Sequence, residues 1–405
     1  MATIWLIDHY VTTPGTGIGG RHFQVARALA SRGHKVVVIA ARSHHMLHKE
    51  VDRDNLPHVE SLFGFDFVRL DTFPYSGAHD KRRILAWLFF ATRLWLRRKS
   101  IGPRPDAILY VWPQPFGFVA AAWIAKVFKA RLALEVRDLW PSTLVEIGNI
   151  SEKHPFIVLL KWLEKWSVKR ADAVVSNLEG ADGHLATLGM DRTKFHWIPN
   201  GITVADVNKP SPLADHIAVQ IPENGLRIVY TGTLGAANAL ETLIDAIALL
   251  DNVYDVAVII IGEGSAQGFL KMRCKELRLG NVHFLGAIPK SQIQSALRHA
   301  DVCFIGWKDV SLYKWGIGAN KIPEYLYSGK PILHCYSGNF DPIQKFSAGV
   351  TVPAENPSAL AEAIRLLYTM PLKQREQMGK NGRRAALEYY DYERLAGELE
   401  HVMIN

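Results

Sequence analysis

At 405 residues the chain is too long for a single compact core, and 48% hydrophobic with 21% charged residues is an ordinary globular composition, so two folded domains are expected rather than a disordered or fibrous protein. The net charge of +8 is uneven: residues 1–200 carry 27 Lys and Arg against 18 Asp and Glu, the remainder 20 against 21. Three scattered cysteines, Cys274, Cys303 and Cys335, support neither a disulfide framework nor a zinc site and favour a reducing compartment.

The opening MATIWLIDHYVTTPG lacks a basic leader and a sustained apolar run, so residues 3–8 read as a first buried strand, not as a signal peptide. A glycine-rich stretch, PGTGIGGRH, leads into the amphipathic segment Phe23–Ser31. Gly15, Gly17 and Gly20 fit the dinucleotide fingerprint G-x-G-x-x-G, but the loop from Asp8 to Gly19 is long for that use. The next strand, Lys35–Ala40, ends in Ala41 and Arg42 without an acid for a ribose. An NADP-dependent oxidoreductase therefore stands as an alternative through Arg42. Gly19 and Gly20 otherwise read as a pair that opens the helix and lets backbone approach a bound anion or sugar.

Residues 81–99, KRRILAWLFFATRLWLRRK, hold an apolar run too short to cross a bilayer. Basic clusters at both ends, with Trp87, Phe89, Phe90 and Trp95 between them, suit an interfacial helix or the core helix of an α/β layer. Strand Ala107–Val111, a helix near Phe116–Phe128 and strand Arg131–Val136 follow. Arg137 and Asp138 fall just past that last strand, where parallel sheets hold ligands; Arg137 suits a phosphate or carboxylate, and a structural Arg–Asp ion pair is the alternative. In helix Pro155–Arg170, Trp162 and Trp166 read as core. Strand Ala173–Ser176 and segment Phe195–Ile198 run into the turn Pro199-Asn200-Gly201. The basic excess of this half suggests a polyanion, an anionic membrane or a phosphorylated acceptor.

Residues 202–225, with scattered proline and charge, read as a linker. A second α/β unit begins with strand Leu226–Tyr230, then Gly232, Thr233 and Gly235 before a helix, a geometry that holds phosphate on backbone amides. Strand Asp255–Ile261 ends in Gly262-Glu263-Gly264, and strand Val282–Leu285 ends at Gly286. Helix Lys290–Ala300 and strand Val302–Ile305 precede GIGANKIPEYLYSGKPILH at 316–334. There Asn320 is placed to cap a short helix ended by Gly329, and Lys321 and Glu324 share one face of it. A lysine near free amides suits phosphate and a glutamate one turn on suits sugar hydroxyls; a surface ion pair is the alternative. A closing helix is expected over 376–405, with Tyr389, Tyr390 and Tyr392 packing on the first domain.

Taken in order, GGRHFQVARALASRGHKVVVI, VRDLWP, IPNGI, TGTLGAANALETLIDA, the GEG turn and NKIPEYLYSGKPI resemble glycosyltransferase family four, retaining enzymes of the GT-B fold. The VRDLWP segment is similar to the bacterial branch that builds O-antigen and capsule, including fucosaminyl transferases. The resemblance implies an α/β fold of two Rossmann-like domains facing a cleft, over 1–205 and 206–375, with 376–405 returning to the first. It implies a nucleotide-sugar donor, UDP-linked by preference, and a sugar acceptor carried on a lipid such as undecaprenyl diphosphate. It also implies a cytoplasmic enzyme at the inner membrane face, with no metal or other cofactor and no nucleic-acid partner. Glu324 matches the second glutamate of the family's E-x7-E motif, which grips the donor ribose, while Gly316 stands where the first would be. Arg137-Asp138 replaces the usual His-Asp, and GAANAL lacks the usual basic residue. Lys321, Arg137 and Asp138 are then the catalytic candidates; Gly19, Gly20, Gly232, Thr233, Glu263, Gly286, Ile288, Asn320, Lys321 and Glu324 are the donor-binding ones. A non-catalytic sugar-nucleotide binder is the reading that Gly316 keeps open.

Overall fold

The computed structural model describes residues 1–404 except 49, 54, 76, 78, 79, 147, 252 and 253. The chain divides into two α/β units, one made of Met1–Asn200 with Tyr392–Asn405 and the other of Gly201–Asp391.

Runs such as TIWLI and AILYV are apolar on both faces, which suits strands covered by helices on either side. The first unit has β1 (Thr3–Ile7), β2 (Lys35–Ala41), β3 (Val59–Leu62), β4 (Phe65–Leu70), β5 (Ala107–Val111), β6 (Arg131–Val136), β7 (Ala173–Ser176) and β8 (Phe195–Trp197). Their order is β3-β4-β2-β1-β5-β6-β7-β8, parallel except for the β3–β4 hairpin. That hairpin turns through Phe63 and Gly64, both at positive φ as a two-residue turn demands. On one face, Phe23 and Leu29 of helix Arg21–Ser31 join Leu395, Leu399 and Met403 of the last helix, Tyr392–Ile404, in one core. Helices Arg83–Arg97, Pro115–Phe128 and Pro155–Arg170 carry the crossovers from β4 to β5 to β6 to β7, and right-handed connections put all three on the other face.

A buried charge cluster ties the carboxyl edge of this sheet together. His22 bridges Asp8 at the end of β1 (Nδ1–Oδ2 2.7 Å) and Glu135 on β6 (Nε2–Oε2 2.8 Å). Arg21 holds the other Glu135 oxygen through Nε at 2.7 Å and donates to the carbonyls of Ile198 and Pro199. All four side chains are buried. Burial pushes the Asp8 and Glu135 carboxyls up, but the cations beside them, His22 for Asp8 and Arg21 with His22 for Glu135, hold both below their ordinary values. Burial disfavours the charged His22 ring, yet Glu135 and Asp8 outweigh it and raise its pKa.

The second unit has β9 (Leu226–Thr231), β10 (Val256–Ile261), β11 (Val282–Gly286), β12 (Val302–Gly306), β13 (Ile332–Cys335) and β14 (Gly349–Val352), all parallel in the order β11-β10-β9-β12-β13-β14. This is the doubly wound order, whose topological switch lies between β9 and β12. The segment 202–225 is not a free linker. Ile202, Ile217 and Ile221 are buried in this unit's core, anchoring the short helices Val204–Val207 and Asp215–Ala218. The segment 376–405 is two helices, not one. Leu372–Tyr389 belongs to the second unit, and Tyr392–Ile404 to the first. The tyrosines divide accordingly: Tyr390 is buried in the second core, Tyr392 in the first, and Tyr389 is exposed with its ring 5.2 Å from Phe346. The three cysteines are unpaired and buried.

Helix Leu372–Tyr389 braces helix Lys321–Ser328 through a glycine contact. A Cβ at Gly379 would stand 1.9 Å from the Gly329 carbonyl oxygen, and Arg383 reaches the Tyr327 carbonyl at 3.1 Å. Gly379→Ala should therefore cost about 1–3 kcal/mol in urea denaturation by forcing the helices apart. Glu135→Gln, which leaves Arg21 and His22 short of a buried anion, should cost about 3–5 kcal/mol. The same cluster sets opposing pH limbs. The carboxylate contribution is present above the ordinary carboxylate range and is lost as pH falls through the lowered folded values. The His22 contribution is complete below its unfolded value of about 6.5 and is lost as pH rises through its raised folded value. Unfolding free energy should fall on both sides, and His22→Gln should flatten the alkaline limb.

Candidate active site

In the second unit, three strand ends are stacked at one level. The Gly232 amide donates to the Ile261 carbonyl at 2.9 Å, and the Gly262 amide to the Gly286 carbonyl at 2.7 Å. A Cβ at Gly262 would lie 1.9 Å from the Gly232 oxygen, so only glycine permits this approach. Leu234 N–H donates to the Glu263 carbonyl at 2.9 Å, which fixes the GEG turn against the Gly232-Thr233 loop. Thr233 and Glu263 are exposed there, Gly286 is half-buried, and Ile288 packs on the apolar cluster beneath.

Lys321 enters this layer from the first position of its helix. Its Nζ donates to Tyr230 Oη at 2.9 Å and Asn238 Oδ1 at 2.6 Å, and it lies 4.5 Å from the Tyr230 ring centre. A Cβ on Gly232 would come within 2.6 Å of Lys321 Cε, so this glycine makes room for the lysine stem. Two of the three ammonium donors are engaged, which leaves the third for a ligand oxygen. Burial lowers the Lys321 pKa to about 8, with Glu324 opposing.

Glu324 lies one turn on, with its side chain 15% exposed and its pKa raised by burial against the pull of Lys290 and Lys321. No ion pair joins it to Lys321. Its nearest cation is Lys290, at 3.8 Å, a contact the sequence reading missed because Lys290 belongs to a separate helical segment that only tertiary packing brings near. The helix backbone is fixed from behind by Gln294, whose side chain donates to the Glu324 carbonyl at 2.9 Å. Asn320 does not cap the helix. Its backbone is already helical (φ −64°, ψ −24°), whereas a capping side chain needs extended backbone, and it makes no cap hydrogen bond. Gly329 ends the helix at φ 72°, as expected.

In the first unit, Gly19 (φ 58°) and Gly20 precede helix Arg21–Ser31. The Gly19 amide is taken by Thr12 Oγ1 at 3.2 Å, so it does not face a ligand. Gly20 has open space where a Cβ would be. Arg137 and Asp138 follow β6 without forming an ion pair. Arg137 Nε is buried with no hydrogen-bond partner, and its charge acts on Asp8 and Glu135. Asp138 is exposed, yet the protein mass around it raises its pKa, with Arg137 opposing. Two histidines that the sequence reading passed over share this edge. His9 and His44, both buried, have no hydrogen-bond partner on either ring nitrogen. Burial drives the His9 pKa well below its usual value and that of His44 down to about 3, so both rings are neutral. The structure thus gathers Gly232, Thr233, Glu263, Gly286, Ile288, Asn320, Lys321 and Glu324 in one unit, and Gly19, Gly20, Arg137 and Asp138 in the other.

Residues 16–206 match the model described as Glycosyltransferase Family 4, and residues 214–385 the one described as Glycosyl transferases group 1. The D-rhamnosyltransferase WbpZ of Pseudomonas aeruginosa is 28% identical over 155 residues, so the alignment spans 38% of each chain. Among solved structures, the sucrose-phosphate synthase of Thermosynechococcus elongatus superposes with a TM-score of 0.77 at 19% identity, covering 99% of this chain and 98% of that one. Anabaena HepE, solved in complex with UDP-glucose, gives a TM-score of 0.67 at 14% identity, with 99% of each chain covered. WaaG, a glycosyltransferase involved in lipopolysaccharide biosynthesis, gives 0.69 at 14% with the same coverage. With a family 4 match over its first part, a group 1 match over its second and the same fold as these enzymes, the chain belongs to the glycosyltransferases of the GT-B fold.

Proposed function

We propose that the chain transfers a sugar, with retention of configuration, from a nucleotide-sugar donor held by the second unit to a lipid-linked sugar acceptor held by the first. The observation that carries the donor half is Lys321: a half-buried ammonium, anchored on two sides, with one donor left over beside three glycine-lined strand ends. Glu324 accepts hydrogen bonds from the ribose, and the loops at Gly232-Thr233, Glu263 and Gly286–Ile288 surround the diphosphate, sugar and base.

In the reaction the bond from the anomeric carbon to the donor phosphate oxygen breaks as the bond to the acceptor hydroxyl oxygen forms on the same face. The acceptor proton passes to a phosphate oxygen of the leaving diphosphate. Negative charge grows on that leaving group, and Lys321 stabilises it without a metal. Arg137 and Asp138 act on the acceptor side, in the strand-end layer that also holds the neutral imidazoles of His9 and His44. A UDP-sugar is the favoured donor, supported by the UDP complexes among structures of like fold. The setting we infer is O-antigen, capsule or related polysaccharide assembly at the cytoplasmic membrane face, on an undecaprenyl-diphosphate carrier. The partial likeness to a rhamnosyltransferase and the sequence resemblance to fucosaminyl transferases both point to 6-deoxyhexoses.

A thermal-shift screen of UDP-, GDP-, ADP- and dTDP-sugars, 6-deoxyhexosyl donors included, should give one donor that raises the melting temperature. Failure of every donor, with a response to NADPH instead, would reverse the assignment in favour of the oxidoreductase. Glu324→Ala should weaken donor binding at least about tenfold in calorimetry with the melting temperature of the free protein unchanged. Lys321→Met should lower turnover more than donor affinity. In the parent protein donor affinity should decline as pH rises through about 8, where the Lys321 ammonium is lost, and Lys321→Met should abolish that slope. Donor turnover with an acceptor mixture excludes a pure binding protein, and NMR of the product anomer tests retention.

A further inference from the structure

A helix that covers a sheet ordinarily turns one apolar stripe inward and a polar face outward. Three helices of the first unit depart from this rule together. Helix Arg83–Arg97 buries Ala86, Trp87, Phe90 and Leu94, yet its outer side exposes Leu85, Leu88, Phe89 and Leu96. Helix Pro115–Phe128 exposes Trp123 (52%) and Val127, one turn apart. Helix Pro155–Arg170 exposes Val158, Leu159 and Trp162; the last, expected in the core, is 61% exposed, and only Trp166 packs inward, 5.8 Å from the Phe118 ring. The helices lie side by side. Gln114, at the start of the second, donates to the Trp87 carbonyl of the first at 3.1 Å, and the Phe118–Trp166 contact joins the second to the third. At an ordinary spacing of about 8–10 Å between axes, the outer face is roughly 20 Å across.

Its charge is of one sign. Arg93, Arg97, Lys126, Lys165 and Lys169 lie on these helices. Lys126 sits 5.5 Å from the Trp123 ring centre. Glu164, the one acidic residue among the three, is buried and 3.3 Å from His184. Lys161 pairs with Glu152, just ahead of the third helix, at 3.0 Å. Exposed tryptophan and leucine among lysine and arginine match the headgroup boundary of an anionic bilayer: the rings enter the acyl edge while the cations meet lipid phosphates. Among the described residues no helix is long and apolar enough to cross a membrane, so the contact is a lateral one.

We propose that the outer faces of helices Arg83–Arg97, Pro115–Phe128 and Pro155–Arg170 form one surface that docks on an anionic lipid bilayer. The inference rests on this surface alone and not on the transfer reaction; if donor binding fails and vesicle binding holds, the two readings separate.

The test is sedimentation of the full chain with vesicles of phosphatidylcholine alone or mixed with phosphatidylglycerol. The chain should pellet with the mixed vesicles, remain in the supernatant with the neutral ones, and release as salt is raised. Trp123→Ser with Trp162→Ser should cut partitioning about tenfold or more, and so should Lys165→Glu with Lys169→Glu, with melting temperature and donor-induced shift unchanged in both. If the parent chain does not pellet with anionic vesicles, or both double variants pellet as it does, the proposal is overturned. It is equally overturned if light scattering shows a dimer that the tryptophan variants disperse while vesicles go unbound, since the face would then meet a second copy.

Discussion

An ammonium drawn partly out of water needs oxygen around it, and the second unit is arranged around meeting that demand only in part. Lys321 reaches two oxygens, Tyr230 Oη and Asn238 Oδ1. It can do so because Gly232 has no side chain to obstruct its stem, and Gly232 can sit there because Gly262 lets the neighbouring strand end close upon it. Each step depends on the one before. Burial lowers the Lys321 pKa, so the site favours charge less than water does, and an anion would restore what burial removes. The diphosphate of the proposed donor is an anion of that kind.

The first unit treats its buried charges in the opposite way. Asp8, His22, Glu135 and Arg21 satisfy one another, and Arg21 spends its remaining donors on the Ile198 and Pro199 carbonyls. The cluster therefore joins the start of helix Arg21–Ser31, the end of β1, strand β6 and the turn after β8 without needing a ligand. Its role is to hold the strand ends in register, and Arg137 next to it, with an unmatched Nε, is where the pattern of mutual satisfaction stops. Polar groups left over at the rim of a saturated network are what a polyhydroxylated acceptor would require.

Most of the strands were legible in the sequence, because a strand covered on both faces is an unbroken apolar run bounded by turn residues, but the interior strand β4 (FDFVRL) was missed. The β3–β4 hairpin escaped notice since β3 is a partly exposed edge with the mixed pattern VESL. The segment 202–225 misled for a related reason: three isoleucines spaced among prolines carry no period, yet each finds the core. At the site, Lys321 and Glu324 were readable because both lie on one helix. Lys290, Tyr230 and Asn238 were not, since tertiary packing alone brings them to the same place. The same limit applies to His22 with Asp8 and Glu135, which are more than a hundred residues apart at their widest. Asn320 shows a residue type overruled by its backbone, and Trp162 an aromatic stripe whose spacing could not say which way it faced.

Gly316 is the departure that the geometry explains best. The E-x7-E pattern has a carboxylate at that position, but here φ is 103° and ψ 175°, a region that essentially only glycine enters. The glutamate is thus not merely absent; the backbone has adopted a path that a side chain would strain. The Gly316 amide is held by the Tyr313 carbonyl at 3.0 Å. A glycine there carries no negative charge, and Glu324 is the one acidic residue that shares a helix with Lys321. The absence of a carboxylate at 316 and the spare ammonium donor at 321 both favour an anion from outside, which is the part proposed for the donor diphosphate.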